Sequence, residues 1–187
     1  MRSNKSGNLF VISAPSGAGK GTIIARLLEL CPAMEYSISA TTRSPREGEV
    51  DGVSYHFITH QLFKEMIGRD EFLEYAEYVG EFYGTPKKQI YEAIDNGRNI
   101  LLEIEVQGAR QVMAIYPEAV TIYIIPPSIE ELERRLRGRS TESEEKLAAR
   151  LKRACEEMEE KIHYDHIVVN DDISRAVEEI FSIIGRV

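Results

Sequence analysis

Cysteine is almost absent from this chain. Its 187 residues contain two, Cys31 and Cys155, and neither has a cysteine or histidine at metal-ligand spacing. That excludes a disulfide framework and a thiolate metal centre, and both thiols are expected to be reduced and inside the core. Histidine is scarce as well. His56, His60, His163 and His166 show no zinc pattern, and the i, i+3 spacing of the last two reads as a helix-end coincidence. Positive charge is in deficit, with 23 Lys and Arg against 31 Asp and Glu. The resulting net charge of −8 argues against a general nucleic-acid or anionic-membrane binder, so each arginine cluster must be read individually. Long apolar runs are missing too. The polar stretch from Met1 to Asn8 meets just four apolar residues, Leu9 to Ile12, too few for a signal-peptide core or a membrane span. A cytoplasmic protein is therefore expected, with neither membrane nor nucleic acid as partner. There are no internal repeats, low-complexity tracts or Pro/Ser-rich linkers. What remains, 43% hydrophobic and 29% charged, is the composition of a globular chain long enough for one well-buried core, with room for inserted subdomains.

The most informative stretch is Ala14-Pro15-Ser16-Gly17-Ala18-Gly19-Lys20-Gly21-Thr22, directly after the apolar run Leu9-Phe10-Val11-Ile12. It reads as strand, phosphate loop, helix. The glycines and small residues let successive backbone N–H groups point into one concavity, and a helix beginning near Lys20 aims its positive dipole end at the same spot. Lys20 adds a mobile point charge for the β- and γ-phosphates of a nucleoside triphosphate. The match to G-x-x-x-x-G-K-[ST] is imperfect. Ala14 stands in place of the first glycine, and Gly21 follows the lysine, so Thr22 supplies the Mg²⁺-directed hydroxyl one residue late. A Gly-rich turn before an ordinary helix is the competing explanation, and the strand and helix context argues against it.

Short apolar runs separated by amphipathic stretches recur at Leu9 to Ile12, Tyr36 to Ala40, Ile100 to Val106, Val120 to Ile125 and Ile167 to Val169. This is the signature of an α/β fold, a P-loop NTPase-type parallel sheet with helices on both faces. Ile23, Ile24, Leu27 and Leu28 repeat at helical spacing, and Asn96-Gly97 punctuates a helix end. Ser128 with Glu131, and Thr141 with Glu144, form capping-box pairs that open two further helices. The second of these carries Leu147, Leu151, Ala154, Met158 and Ile162 on one stripe. A last helix beginning near Ser174 is expected to bury Val177, Ile180, Phe181 and Ile184 against the sheet edge. From Thr41 to Gln89 the rhythm breaks. Val53, Tyr55 and Phe57 alternate with polar residues, and Phe72 to Val79 and Glu81 to Tyr83 look like further strands, so this segment reads as a small mixed-sheet insertion.

A second anion site is suggested by Ser39-Ala40-Thr41-Thr42-Arg43-Ser44-Pro45-Arg46, followed by Gly48, Gly52 and Tyr55. Guanidinium forks grip phosphate oxygens bidentately, and a tyrosine hydroxyl completes the shell without adding charge. Taken alone, a solvated basic turn is the simpler explanation of these residues. Glu103 and Glu105 alternate on one strand and share a face near its C-terminal end, where α/β folds bind ligands. Two acids there need a charge partner, which Mg²⁺, Arg43 or Lys20 would supply.

From Leu9 to about Ile184 the chain resembles the bacterial guanylate kinases. The resemblance rests on Ser13 to Lys20, Ser39 to Glu49, Gly52 to Phe57, Phe72 to Ala76, Tyr83-Gly84-Thr85, Glu103 to Ala109, Gly138 to Glu142 and Val169 to Asp172. It implies a core of residues 9–40, 90–126 and 161–187, a GMP-binding insertion at 41–89 and a helical lid at 127–160. It also implies the reaction ATP + GMP = ADP + GDP, with Mg²⁺ accompanying ATP; dGMP as a further acceptor is left open. ATP would be held by Ser16, Gly17, Ala18, Gly19, Lys20, Gly21, Thr22, Arg135 and Asn170, the last beside adenine. Arg43, Arg46, Tyr55 and Tyr83 would hold the GMP phosphate, while Ser39, Glu74, Thr85 and Glu105 would surround guanine or its adjacent contacts. Lys20, Arg43, Arg139 and Arg150 would act on the transferring group, and Thr22 and Glu103 would meet the metal, directly or through water. Many members of that family have aspartates where Glu103 and Glu105 stand, and the longer side chains would shift the metal or water network.

The choice of guanine has a physical reason of its own. Guanine offers N1–H and N2–H₂ as adjacent donors to one carboxylate such as Glu74, whereas adenine presents an acceptor at N1 and leaves the carboxylate unpaired. Two other classes compete with this reading. A non-catalytic module that holds phosphopeptides would not need Lys20, the Gly-rich loop and the lid arginines. A kinase for another nucleotide, suggested by Gly21-Thr22, would need a different base pocket.

Overall fold

The alternation of short apolar runs with amphipathic stretches produces alternating strands and helices, described by a computed structural model over residues 6–138 and 144–187. The strands are β1 (Leu9–Ser13), β2 (Glu35–Tyr36), β3 (Ala40–Thr41), β4 (His56–Phe57), β5 (Phe72–Tyr78), β6 (Glu81–Pro86), β7 (Ile100–Glu103), β8 (Val120–Ile125) and β9 (His166–Val169). The helices are α1 (Lys20–Leu30), α2 (His60–Gly68), α3 (Lys87–Asp95), α4 (Val106–Ile115), α5 (Ile129–Gly138), α6 (Glu144–Met158) and α7 (Ile173–Ile184), with a 3₁₀ turn at Glu159–His163. A five-stranded parallel sheet has the order β2-β7-β1-β8-β9, and a separate mixed sheet has the order β4-β3-β6-β5. Thus both the parallel α/β sheet and the mixed-sheet insertion are present. No helix among the described residues is long and apolar enough to cross a membrane.

The chain divides into two compact units. One, the loop unit, comprises Phe10–Ala33, Glu103–Val106 and Val120–Val187. Its β1 is buried at every position and runs parallel to β8 in the register Phe10↔Val120 to Ser13↔Tyr123. Each Leu or Ile fully enclosed in this way contributes about 1.5–3 kcal/mol relative to an exposed one. Ser128 Oγ accepts the Glu131 N–H at 3.2 Å, capping α5 as expected. Leu132 and Leu136 of α5 pack with Leu147 and Ala154 of α6, joined by Leu151 and Met158. Ile162 departs from that stripe and is 75% exposed. The α-helix ends at Met158, and the 3₁₀ turn after it changes the period from about 3.6 to about 3 residues, rotating Ile162 out of line. Thr141, the expected cap of α6, lies outside the described residues.

On α7, capped by the Asp172 carboxylate, the buried face is Ala176, Val177, Ile180 and Ile183. Phe181 is 47% exposed, contrary to expectation. The helix packs on α1 and β9, and that face centres the stripe on Ile180 rather than one residue later. Neither cysteine is enclosed in the core. Both are free and half-buried, and Cys31 terminates α1 with its N–H on the Leu27 carbonyl at 3.0 Å.

The other, the insertion unit, comprises Met1–Leu9, Met34–Leu102 and Gln107–Ala119. Tyr36 to Ala40 is not one strand. Glu35–Tyr36 pairs with β7, Ala40–Thr41 pairs with β4 and β6, and the amide of Gln89 spans the gap. It accepts from Ile38 N–H at 3.1 Å and donates to the Tyr36 carbonyl at 3.0 Å, satisfying backbone groups that lack strand partners there. Of the alternating Val53, Tyr55 and Phe57, only His56–Phe57 forms a strand; Val53 is 65% exposed beside the positive-φ turn at Gly52. Helix α2 is an addition to the expected strands. Thr59 caps it through Leu62 N–H, and its buried Phe63 stacks on Phe72 and Phe82 at 4.3 and 5.3 Å between ring centroids. The β5–β6 hairpin turns through Val79 (φ 54°) and Gly80 (φ 80°).

Candidate active site

In the loop unit, Gly17 (φ 91°) and Gly19 (φ 92°) are both left-handed, a conformation that side-chain-bearing residues rarely adopt. A Cβ at Gly17 would stand 2.8 Å from Leu136 Cδ2, and one at Gly19 2.6 Å from Asn170 Nδ2. Helix α1 starts at Lys20 with no side-chain cap, so its first N–H donors face the loop without an intramolecular side-chain acceptor. That is the arrangement in which a helix start holds phosphate. Lys20 Nζ donates to the Ile104 carbonyl at 3.1 Å and to Glu105 at 3.3 Å, and lies 3.9 Å from Glu103. β7 ends at Glu103, and Glu105 lies beyond it in the short link to α4, so the two acids do not share a strand face as the alternation suggested; both nevertheless meet the loop lysine as their cation.

Asn170 and Arg135 brace the loop from behind. Asn170 Nδ2 donates to the Ala18 carbonyl at 2.6 Å, and Arg135 donates to the Asn170 carbonyl at 2.9 Å and to Ala18 at 3.4 Å. Asn170 is buried, and its Oδ1 has no hydrogen-bond partner among the described residues. Ser16 is gripped by α6. Arg150 Nη2 approaches its Oγ at 3.5 Å, and Glu157, held by Arg153 at 2.8 Å, accepts the Ser16 N–H at 3.2 Å. Glu157 was not singled out from sequence. Its i, i+4 partner Arg153 makes it read as an ordinary surface pair. Gly21 and Thr22 are exposed on the first turn of α1, and a side chain at Gly21 would meet nothing within 4 Å. Arg139 lies outside the described residues.

In the insertion unit, Arg43 is the hub. Its two terminal nitrogens donate to Glu49 at 2.9 Å each, in a bidentate pair. Its guanidinium lies over the rings of Tyr55 and Phe57 at 5.5 and 5.8 Å, and it hydrogen-bonds Tyr83. The Arg43 fork, assisted by the Arg46 N–H, holds the Glu49 carboxyl down at about 2. Tyr55 and Tyr83 meet edge to face at 6.1 Å. Arg43, Tyr55 and Tyr83 are thus one cluster. The Arg46 side chain is exposed beside it, with its N–H on Glu49 at 2.7 Å. Glu49 is the member that sequence reasoning missed, although it closes the same motif.

Glu74 is only 5% exposed. A β-bulge between Phe72 and Glu74 breaks the strand alternation, so that Phe72, Leu73 and Glu74 are all buried. Glu74 pairs with Thr85 across the ladder, and the Thr85 hydroxyl donates to its Oε1 at 2.6 Å. Burial pushes the Glu74 carboxyl up to about 7, against the opposing pull of the Thr85 hydrogen bonds. Ser39 directly precedes β3, whose Ala40 pairs with Gly84, between Tyr83 and Thr85. Glu105, assigned from the resemblance to the neighbourhood of guanine, sits in the loop unit against Lys20.

Comparison with known proteins agrees with this geometry. The family model described as Guanylate kinase matches residues 6–186. A guanylate kinase of Trichormus variabilis is 50% identical over 175 residues, covering 94% of this chain and 88% of the relative. One from Synechocystis sp. is 50% identical over 180 residues, covering 96% and 94%. The crystal structure of guanylate kinase from Anaplasma phagocytophilum superposes with a TM-score of 0.80 at 35% identity, over 97% of this chain and 86% of that one. A left-handed glycine loop ending in Lys20, a buried carboxyl on Thr85 and a match along almost the whole length lead to one conclusion: the chain belongs to the guanylate kinase family.

Proposed function

We propose that the protein transfers the γ-phosphoryl group of Mg-ATP to GMP, giving ADP and GDP, in the cytoplasm. The observation that carries the acceptor choice is Glu74, a buried carboxyl fixed by Thr85 and directed by a bulge. Guanine satisfies it with two adjacent donors, whereas adenine would leave a buried anion unpaired, at a selectivity cost of about 10⁴ or more. Segment 41–89 then serves as the monophosphate-binding insertion and 127–160 as the lid.

An oxygen of the GMP phosphate attacks the γ-phosphorus while the bond to the β-bridging oxygen breaks. The attacking oxygen is anionic at neutral pH, so neither a protein nucleophile nor a strong base is required. Arg43, Arg46, Tyr55 and Tyr83 orient the acceptor phosphate, with Glu49 fixing the Arg43 fork. The loop N–H groups, Lys20 and Arg150 hold and neutralise the triphosphate, and Arg139 is assigned the same task by position in the family motif. The donor set suits Mg²⁺. Glu103 and Glu105 bring two carboxylate groups to Lys20, and Thr22 adds an exposed hydroxyl on α1, oxygen donors of the kind Mg²⁺ takes. When bound, Mg²⁺ would neutralise part of the negative charge on the transferring group. Asn170, with its unpartnered buried Oδ1, is the residue assigned to adenine.

Glu74→Gln tests the acceptor choice. The expected result is a fall in kcat/KM for GMP of at least about 100-fold with the KM for ATP unchanged. An unchanged kcat/KM for GMP would remove Glu74 from the base site.

A further inference from the structure

Gly108 stands in the first turn of α4, within the insertion unit, and the mechanism above gives it no role. Its φ is not in the left-handed region, so its backbone does not call for glycine. Helix propensity argues against glycine there, since alanine is the better helix former at an interior helical position. What excludes a side chain is Glu74. A Cβ on Gly108 would overlap Glu74 Oε2, stand 2.9 Å from its Cδ and 3.4 Å from its Cγ. All three nearest atoms belong to that one side chain. On its other oxygen the carboxyl is tied to the Thr85 hydroxyl at 2.6 Å. It is therefore wedged, with a hydrogen bond fixing Oε1 and the bare face of α4 receiving Oε2.

We propose that Gly108 is a positioning residue for nucleobase selection: its missing side chain is the space into which the Glu74 carboxyl fits, and without that space the carboxyl cannot hold the position from which it discriminates guanine. The inference rests on the reading of Glu74 as the guanine acceptor and adds the element that fixes where the acceptor sits. In Gly108→Ala the carboxyl must retreat by about an ångström and strain its Thr85 bond, a displacement of the size that costs about 100-fold in a positioned site.

The experiment is steady-state kinetics of the whole chain with GMP, AMP and ATP varied separately. It uses wild type, Gly108→Ala, Glu74→Gln and the double variant Gly108→Ala/Glu74→Gln. Gly108→Ala is expected to raise the KM for GMP about 100-fold and to shrink the GMP-over-AMP preference, with the KM for ATP unchanged. In the Glu74→Gln background the same change should alter the GMP-over-AMP ratio by less than about threefold, because the two residues act as one. If Glu74→Gln weakens GMP use while Gly108→Ala does not, the inference is overturned and the reading of Glu74 stands. If Glu74→Gln leaves GMP use untouched, the reading itself fails. Should Gly108→Ala not fold, Glu74→Ala/Gly108→Ala removes the clashing carboxyl. Recovery of a melt matching that of Glu74→Ala upholds the wedge, and no recovery overturns it.

Discussion

The two units build their proposed ligand sites by opposite means. The loop unit uses backbone, with glycines at φ 91° and 92°, an uncapped helix start, and Asn170 and Arg135 bracing the Ala18 carbonyl. The insertion unit uses side chains, with the Arg43 fork fixed by Glu49 and the Glu74 carboxyl fixed by Thr85. A backbone cradle has no titrating group in its donors and depends on the absence of side chains. A side-chain site depends on ionisation and on every partner that sets it. The loop unit should therefore be indifferent to mild acid and the insertion unit sensitive to it, while added atoms should harm the insertion unit only where, as at Gly108, they displace a side chain that sets the site.

The largest expected effect is in the loop. Lys20→Ala should lower kcat by about 10³ or more, as read by ADP release from protein that thermal denaturation shows to be folded. Unchanged turnover would contradict the mechanism. Gly19→Ala should abolish triphosphate binding and cost about 1–3 kcal/mol of stability, because the added Cβ meets both a left-handed backbone and Asn170. Gly21→Ser, two residues on in open space, should leave both unchanged; equal damage at the two positions would remove the distinction drawn here.

Next in size is the pH dependence of the insertion unit. A Glu74 that accepts from guanine, as proposed, must be ionised, so the KM for GMP should rise about tenfold per pH unit below about 7 while the KM for ATP stays flat. For stability the sign runs the other way. The buried carboxyl has its proton affinity raised from an ordinary 4.5 to about 7, so the native state binds the extra proton. Its contribution is intact below 4.5 and is lost as pH rises through about 7. Glu74→Gln should thus stabilise the nucleotide-free protein at pH 8 by up to about 3 kcal/mol, shrinking to nothing below pH of about 4.5. A melt difference independent of pH would exclude burial of this charge as its cause.

The smallest effect concerns the β5–β6 turn, which contributes no residue to either site. Val79 is 83% exposed and left-handed, which is costly for a β-branched side chain in a turn that favours Asn. Val79→Asn should raise stability by about 1 kcal/mol with kcat and KM unchanged. A lowered melting temperature would mean that Val79 makes a contact that outweighs its strain.

The contrast between the units also decides what could be read from the sequence. The phosphate loop was legible because glycine spacing is a direct statement about backbone, and the buried strands β1 and β8 because apolar runs survive as runs. The split of Tyr36 to Ala40 was not, because it depends on the Gln89 amide, more than fifty residues away in the chain, replacing strand partners. Helix α2 is short and anchored by a single buried Phe63, whose partners Phe72 and Phe82 come from the two strands that follow it. Arg43, Tyr55, Glu74 and Tyr83 were named through resemblance. The residues that set Arg43 and Glu74, namely Glu49 and Gly108, stand in the matching stretches Ser39 to Glu49 and Glu103 to Ala109 with nothing local to mark their role. An acid among many acids and a glycine in a helix carry no local signal; only the folded distances single them out.

The most direct test of the account is ADP release from Mg-ATP with GMP, dGMP, AMP, UMP, CMP or no acceptor in parallel. The account predicts ADP formation that depends on GMP, with AMP inert. Equal rates with AMP, or no ADP with any acceptor although ATP binds, would contradict it.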